Sequence, residues 1–288
     1  MVDSPCNGRK LASLRERLGR VEPWPWSRAF EKRSEGGQNR APVRPRVSGK
    51  RCKKGQGLNE QTLSMRLERV AAHVPAGARL ADIGSDHGYL PVALMLRGCI
   101  EAAVAGEAAP TPYHSAQRKV RKNGLEARIT VRLADGLDAI EPQDGITAIS
   151  LCGMGGEKIR EILERGKHRL SGKERLVLQP NVREGTLREW LMENDYRILC
   201  EELLEENAFT YEIIVAERCE AVAYSPQELY FGPLLMQERS PAFLAKWGLN
   251  LKRKRRVMAH FVRARQGVPE QKVQEVATQV RWIEQLLA

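Results

Sequence analysis

The sequence LADIGSDHGYLP occupies residues 80–91, and it joins an apolar run to a turn that contains two glycines and a carboxylate. This pattern predicts a buried strand followed by a helix whose first backbone N–H groups face a nucleotide-like ligand. Gly84 and Gly88 are separated by three residues, so the close G-x-G pair that receives a pyrophosphate is missing. The turn favours a ligand without a pyrophosphate, and S-adenosylmethionine fits because Asp82 and Asp86 can meet its charged end. An ordinary strand-turn-helix in another α/β protein is the alternative.

Apolar runs of strand length alternate with helical segments through the middle of the chain. The strand-like runs lie at 79–83, 100–106, 129–133, 146–152 and 175–179, and the helical segments lie near 89–97, 110–123, 156–166 and 183–194. Such alternation indicates a parallel sheet with helices on both faces. Two further runs, 197–204 and 210–217, have no helix between them and should pair antiparallel. The pattern predicts an α/β fold with a doubly wound, Rossmann-like sheet, as in class I methyltransferases.

Charge is distributed unevenly along the 288 residues, whose net charge is +11. Residues 1–57 carry 15 Lys and Arg against 5 Asp and Glu and contain few aliphatic residues, so we expect a disordered basic tail. Residues 58–218 hold 21 basic and 25 acidic side chains, whereas residues 219–288 hold 11 and 6. Basic flanks around a mildly acidic centre suit a polyanionic partner such as RNA, although a basic protein without such a partner has the same composition.

The last part of the chain has a different periodicity. After residue 226, apolar residues recur at helical spacing as far as the Gly267-Val268-Pro269 break, and beyond it they repeat in steps of 3 and 4. This pattern predicts an antiparallel coiled-coil hairpin. Five consecutive cations, Lys252 to Arg256, lie on its first helix, either as an RNA contact or as a solvated cationic face. The predicted organisation is a tail over 1–57, a cofactor-binding domain over 58–222 and a helical domain over 223–288.

The cysteine content and the hydropathy of the sequence predict the compartment in which the protein functions. The six cysteines are scattered, with no C-x-x-C pair and no nearby His at ligand spacing, so we expect no metal site and a reducing, cytoplasmic environment. No uninterrupted apolar run approaches the roughly 18 residues of a membrane span. We therefore expect a soluble protein, and the sequence does not predict its oligomeric state.

The ends of the predicted strands carry the candidate site residues, because ligands bind beyond the carboxyl ends of the central strands in a doubly wound sheet. Glu107 ends the second strand 19 residues after Gly88, close to the spacing at which an acid meets ribose hydroxyls. Asp135 and Gly136 follow the third strand. The Asp135 carboxylate can accept from the exocyclic amine of a cofactor adenine, or the pair can simply form a turn.

The fourth and fifth strands end in segments that suit a flat acceptor. The fourth runs into Gly153-Met154-Gly155-Gly156, where small residues leave room for a base. The D/N-P-P-Y/F segment of many exocyclic-amine methyltransferases is absent, which argues against N6 of adenine as acceptor. Asn181 closes the fifth strand, and we expect it either to hold a base edge or to cap the next helix.

Seven segments carry a more specific resemblance: Leu63-Ser64-Met65-Arg66-Leu67, residues 82–91, Ala105-Gly106-Glu107, Asp135-Gly136-Leu137, Gly153-Met154-Gly155-Gly156, Leu178-Gln179-Pro180-Asn181 and Tyr211-Glu212. Together they resemble the TrmK family, the tRNA (adenine(22)-N1)-methyltransferases of bacteria. The resemblance spans about residues 58–288 and leaves the tail unmatched.

The resemblance implies S-adenosylmethionine as methyl donor and N1 of an adenine in the D-arm region of tRNA as acceptor. It implies cofactor contacts from Arg66, Asp82, Gly84, Asp86, His87, Gly88, Glu107, Asp135, Gly136 and Gly153. We expect substrate contacts from Met154, Gly155, Gly156, Asn181, Lys252, Arg253, Arg255 and Arg256. Asp86 is the expected catalytic residue, because a carboxylate near the Watson–Crick edge would stabilise the positive charge that N1 methylation creates.

Two other functions remain compatible with the residues alone. One is a methyltransferase with the same cofactor site that acts on a small molecule or a protein. The other is a noncatalytic RNA-binding adaptor with a degenerate pocket, against which the carboxylates at positions 82, 86, 107 and 135 argue.

Overall fold

The computed structural model describes residues 62–263 and 267–288. The predicted tail over residues 1–57 lies outside this range. The described residues all belong to one compact unit. None of their helices combines the length and the apolar character that a membrane crossing requires.

A seven-stranded sheet forms the centre of the structure. Its strands are β1 (Ala78–Ile83), β2 (Ile100–Glu107), β3 (Ile129–Leu133), β4 (Ala148–Met154), β5 (Arg175–Pro180), β6 (Tyr196–Glu206) and β7 (Phe209–Arg218). They are arranged in the order β3-β2-β1-β4-β5-β7-β6. Strands β1 to β5 run parallel, and β7 pairs antiparallel with both β5 and β6. The predicted fold is confirmed, and the strand order changes direction between β1 and β4, where ligands bind in such sheets.

Helices cover both faces of the sheet. They are α1 (Met65–His73), α2 (Tyr89–Leu96), α3 (Pro110–Lys122), α4 (Gly156–Arg165) and α5 (Glu184–Glu193). Helix α1 begins where the Ser64 hydroxyl accepts the backbone N–H of Leu67 at 3.2 Å. Apolar residues of α1, α2 and α3 pack on one face of the sheet, and those of α4 and α5 pack on the other. The carboxyl ends of β1, β2 and β4 are neighbours in this sheet, so the loops that follow them can form a site.

The C-terminal helices form a smaller apolar core of their own. They are α6 (Pro226–Phe231), α7 (Pro233–Glu238), α8 (Pro241–Arg263) and α9 (Glu270–Leu287). Helices α8 and α9 pair antiparallel, because Arg239, just before α8, bonds to the Leu286 carbonyl while Lys254 farther along α8 bonds to Gln279. The buried apolar residues are Phe231, Leu235, Phe243, Trp247, Ile283 and Leu286.

The predicted coiled coil is not reproduced as a continuous buried seam. Leu251, Met258 and Phe261 on α8 are only half-buried, and at the end of α9 Leu286 rather than Leu287 takes the buried position. The reason is that α6 and α7 add a third layer at one end of the hairpin, where they concentrate the apolar contacts. The domain boundary at 222/223 stays a prediction.

A buried ion-pair network joins the C-terminal helices to the sheet. Arg188 on α5 donates from Nε to Glu201 at 2.6 Å and from Nη2 to Glu212 at 2.5 Å, and all three side chains are buried. Lys246 on α8 donates to Glu212 and, at 2.9 Å, to Glu184. Burial opposes ionisation of Glu212, but the charges of Arg188 and Lys246 outweigh it and lower its pKa.

Replacing Arg188 tests the contribution of this network. Arg188→Met leaves Glu201 buried without its ion partner, and loss of one partner of a buried pair costs about 3–5 kcal/mol. We expect the free energy of unfolding, measured by urea denaturation, to fall by that amount. Arg160→Met removes the surface pair with Glu157 and should leave the urea midpoint unchanged. Equal, small shifts for both variants would contradict the network's importance.

Candidate active site

The site begins at the end of β1, where a buried carboxylate anchors the turn. Asp82 is 3% exposed, and its two oxygens accept from the hydroxyls of Ser85 and Ser150, each at 2.6 Å. Burial raises the pKa of Asp82, and the two hydroxyl hydrogen bonds oppose that shift. Because Ser150 lies on β4 and Ser85 lies in the turn, Asp82 fixes the turn to the neighbouring strand. We therefore expect its influence on a ligand to be indirect.

The turn itself has an unusual backbone. Gly84, Asp86, His87 and Gly88 all have positive φ, at 68°, 47°, 72° and 71°. Asp86 and His87 are strained in this region, because it favours glycine, and such strain persists only where surrounding contacts enforce it. The side chain of Asp86 is 87% exposed, with His87 Nε2 3.4 Å from its Oδ1. The turn thus presents a solvent-facing carboxylate above the carboxyl end of β1.

Glu107 closes the turn from the neighbouring strand. It lies beside the turn because β1 and β2 pair Ile83 with Gly106. The carboxyl is buried and accepts the His87 backbone N–H at 3.2 Å. Burial raises the pKa of Glu107 to about 7, and the nearby Asp82 and Asp86 charges add to that effect. The ionised form of this carboxyl is the stronger hydrogen-bond acceptor, so its capacity to bind hydroxyl groups increases as the pH rises through its pKa.

Gln179 organises the glycine loop, residues 153–156, which spans the end of β4 and the start of α4. This side chain is fully buried, and its Oε1 accepts the Gly153 N–H at 3.0 Å while its Nε2 donates to Asn181 Oδ1 at 3.0 Å. Asn181 in turn donates from Nδ2 to the Gly153 carbonyl at 2.8 Å. Gly153 has φ +75°, a conformation that favours glycine. The side chains of Gln179 and Asn181 therefore bind the backbone N–H and the carbonyl of Gly153, respectively.

Arg66 and Met154 complete this side of the site. Arg66 Nη1 donates to Gln179 Oε1 at 2.5 Å, and its Cζ lies 5.5 Å from the centre of the Tyr211 ring. Met154 covers the turn after β1, because a Cβ added to Gly84 would come within 3.3 Å of Met154 Cε. The loops after β1 and β4 are thus in contact. The structure places Arg66 with β4, β5 and β7 rather than beside Glu107.

The chain is similar to known proteins. The model of the TrmK family, tRNA (adenine(22)-N(1))-methyltransferase, matches residues 80–285. The tRNA (adenine(22)-N(1))-methyltransferase of Bacillus subtilis is 40% identical over 236 residues, which cover 80% of this chain and 99% of that protein. The chain belongs to the TrmK family.

Solved structures agree with this membership. The crystal structure of B. subtilis TrmK, an m1A22 tRNA methyltransferase, matches with a TM-score of 0.74 at 38% identity, covering 79% of this chain and 100% of that one. The Streptococcus pneumoniae protein Sp1610, in complex with S-adenosyl-L-methionine, matches with a TM-score of 0.72 at 40% identity and the same coverage. The remaining predicted site residues are therefore considered as those of a TrmK-family chain.

Asp135 and Gly136 lie against α4. Asp135 accepts from Arg165 Nη1 at 2.9 Å in a half-exposed pair, and this hydrogen bond lowers the pKa of Asp135. Gly136 has φ +62°, and a Cβ there would lie 3.1 Å from Ile162 Cγ2. The predicted contact of Asp135 with a cofactor adenine stays a prediction, and Arg165 would compete for the same carboxylate.

Asn181 does not cap a helix. Helix α5 begins at Glu184 with Arg183 as its N-cap, so the capping alternative is wrong. The side chain of Asn181 instead bonds to Gly153 and Gln179. Gly156 lies at the start of α4, where a Cβ would come within 2.3 Å of the Arg183 carbonyl, and Gly155 lies next to Val182. Small residues in this loop therefore allow the segments after β4 and β5 to approach closely.

The cations of α8 separate into two groups. Lys252, Arg253, Arg255 and Arg256 are exposed, which follows from the 100° step of a helix. Lys254 points the other way, is half-buried and bonds to Gln279. Arg255 shares its charge with Glu284 at 2.7 Å. A fully solvated ring of five cations is thus excluded, and four form one surface, which we call the α8 basic face.

One cluster that the fold assembles had no expected role. His73, Cys200 and Glu202 have potential metal-ligand atoms within 4.8 Å of one another. Glu202, however, accepts from Arg69 at 2.6 and 2.8 Å and has His73 Nε2 at 3.0 Å. Burial opposes ionisation of Glu202, but the bonds from His73 and Arg69 lower its pKa to about 2. The cluster is explained by ion pairing between α1 and β6.

Gln179 also had no assigned role, and its replacement tests the loop. Gln179→Leu removes the acceptor shared by Gly153 and Arg66, so a partly buried N–H and a guanidinium both lose their partner, at a cost of about 1–3 kcal/mol. We expect amide hydrogen exchange in residues 152–156 to accelerate by about tenfold or more. Gln143→Leu, on the surface beside Glu141, is the matched control. Unchanged exchange in the Gln179 variant would show that the loop holds its conformation by other means.

Proposed function

We propose that this chain transfers a methyl group from S-adenosylmethionine to N1 of adenine 22 in tRNA. The observation that carries the proposal is the convergence of the turn after β1, the Glu107 carboxyl and the Gly153–Gly156 loop at the point where the strand order changes direction. Membership of the TrmK family supports it, as does the B. subtilis tRNA (adenine(22)-N(1))-methyltransferase, whose length the chain covers almost completely. Nothing in these relatives favours a small-molecule acceptor or a noncatalytic adaptor.

The residues around the turn fit S-adenosylmethionine. Glu107 is a buried carboxyl that faces the turn, which suits the two hydroxyls of a ribose. Nδ1 of His87 is buried and has no hydrogen-bond partner among the described residues, so it is available to a ligand. Gly84 and Gly153 lack side chains on the two loops that flank this space. When bound, the cofactor supplies an electrophilic methyl group on its sulfonium.

This reaction requires little acid–base catalysis from the residues of the chain. Adenine N1 is unprotonated near neutral pH and carries an in-plane lone pair, so positioning is the main requirement. The glycine loop and Asn181 hold the acceptor side, and the exposed Asp86 carboxylate balances the positive charge that develops on the base. Asp86 also can accept from the adenine N6 amine. Asp86 is thus the candidate catalytic residue.

The tRNA must present an adenine whose N1 is accessible. N1 lies on the paired edge of the base, so the base is unpaired or rotated into the site. The α8 basic face binds phosphates in this proposal, and recognition follows RNA shape rather than sequence. A protein that binds tRNA in this way must share a compartment with tRNA, which is consistent with the predicted cytoplasmic location.

The direct test is methyl transfer from labelled S-adenosylmethionine to unmodified tRNA, followed by mass analysis of the nucleosides. We expect 1-methyladenosine with wild-type tRNA and none when guanine replaces adenine 22. The Asp86→Ala enzyme should keep its fold and bind tRNA but give no product in a single turnover. Cofactor binding without methylation of any tRNA would overturn the tRNA assignment, and normal turnover by the Asp86 variant would overturn its role.

Glu107 predicts a pH dependence of cofactor affinity. Burial raises the pKa of Glu107 to about 7, and the ionised form is the better acceptor for ribose hydroxyls. S-adenosylmethionine should therefore bind more weakly as pH falls from 7.5 to 5.5, approaching a tenfold loss per pH unit below 7. In titration calorimetry, Glu107→Gln should remove this dependence. Glu101→Gln, at the exposed start of β2, should keep it. A pH-independent wild type would contradict the ribose role.

Neutralising the α8 basic face should weaken tRNA binding. Lys252, Arg253 and Arg256 have no ion-pair partner among the described residues, so we expect them to contribute more than Arg255. Each lost phosphate contact lowers the slope of log K against log salt by about 0.7–0.9, so the triple Gln variant should lose about 2–3. Lys272→Gln, on a residue paired with Glu275, is the control. An unchanged slope would place the RNA surface elsewhere.

A further inference from the structure

We propose that Tyr211 is the stacking platform for the target adenine and that Arg66 holds its ring in position. The inference rests on the proposed function and adds to it the contact that receives the base. Neither residue was expected to touch the acceptor. Arg66 was expected at the cofactor, and Tyr211 carried no role.

The sheet places Tyr211 at the acceptor edge. Strand β7 runs antiparallel to β5 with Leu178 opposite Ile214, and this register, continued by three residues, sets Tyr211 level with Asn181. Asn181 bonds to the Gly153 carbonyl at the end of β4. The ring therefore lies at the end of the sheet where β4 and β5 finish, on the side of the site away from Glu107.

Arg66 ties the ring to the same contacts that hold the loop. Its guanidinium carbon lies 5.5 Å from the Tyr211 ring centre, within the roughly 6 Å reach of a cation–π contact. One nitrogen of that guanidinium donates to Gln179 Oε1, which also accepts the Gly153 N–H. Tyr211, Arg66, Gln179 and Gly153 thus form a continuous set of contacts. The ring is half-buried, so part of it remains accessible.

An aromatic residue that stacks on the target base must come from outside the two segments on the acceptor side. Residues 153–156 and 180–183 contain no aromatic side chain. A base rotated out of its helix loses its stacking, and proteins replace that contact with aromatic rings or arginine planes. A ring also suits the reaction, because methylation at N1 makes the base cationic and the face of an aromatic ring attracts a cation. Tyr211 supplies this surface from β7.

The test compares Tyr211→Leu with Tyr211→Phe. Leucine keeps apolar bulk beside Arg66 but has no ring, whereas phenylalanine keeps the ring and loses the hydroxyl. We expect kcat/KM for tRNA to fall at least 30-fold in the leucine variant and to stay within threefold in the phenylalanine variant. The Kd for S-adenosylmethionine should stay within twofold of wild type in both, which a merely structural role of the ring would not allow.

A second readout is the fluorescence of the target base, and its wild-type result does not depend on how a variant folds. tRNA with 2-aminopurine at position 22 should show quenched fluorescence in the complex, because the base stacks on Tyr211, and brighter fluorescence with Tyr211→Leu. Strong emission in the wild-type complex would overturn the inference.

The kinetic outcomes separate the two proposals. If wild-type enzyme methylates adenine 22 and the leucine variant keeps its activity, or both variants lose it equally, the stacking role fails and the function stands. If wild-type enzyme gives no 1-methyladenosine, the proposed function fails and the stacking role fails with it.

Discussion

The buried carboxamide of Gln179 is the contact on which the acceptor side of this site depends. It accepts from Gly153 and Arg66 and donates to Asn181, so three segments that are distant in sequence meet at one side chain. A buried amide group without its hydrogen bonds lowers the stability of the folded protein. Gly153, Arg66 and Asn181 are therefore held within hydrogen-bonding distance of Gln179. The positive φ of Gly153, the position of Arg66 and the orientation of Asn181 follow from that requirement.

Strand β7 connects this site to the C-terminal helices. Tyr211 contacts Arg66 at the site, whereas its neighbour Glu212 is buried in the network with Arg188 and Lys246. Successive residues of a strand point to opposite faces, so one strand can serve both purposes. Lys246 lies on α8, the helix that carries the basic face. Strand β7 therefore sets the orientation of the α8 basic face relative to the acceptor loop. It also links the proposed tRNA contacts to the proposed base contact.

Much of the fold could be predicted, because its signals are local. Apolar runs and helical periodicity depend only on neighbouring residues, and the strands and helices of the sheet were found within a few residues of their observed ends. The position of Glu107 was also accessible, since strand pairing sets it beside the turn after β1. The family resemblance identified the glycine loop and the Q-P-N strand end.

Side-chain partners that are distant in sequence could not be predicted in this way. Periodicity alone does not show that α6 and α7 displace part of the predicted coiled-coil seam, nor that Arg255 pairs with Glu284. The capping alternative for Asn181 failed because two more residues precede α5. The cofactor contact that the resemblance implies for Arg66 stays a prediction. Its contacts with Gln179 and Tyr211 could not be predicted, because they depend on how α1 packs against β5 and β7.

A crystal structure with S-adenosylhomocysteine is the most direct measurement of where donor and acceptor lie. We expect a Glu107 carboxylate oxygen within about 3.2 Å of a ribose hydroxyl, and the sulfur facing the Gly153 loop and Asn181. That arrangement would put the transferred methyl on the side of Tyr211. An adenosine bound away from Glu107, or a sulfur directed towards β2 and β3, would contradict the division of the site into a donor side and an acceptor side.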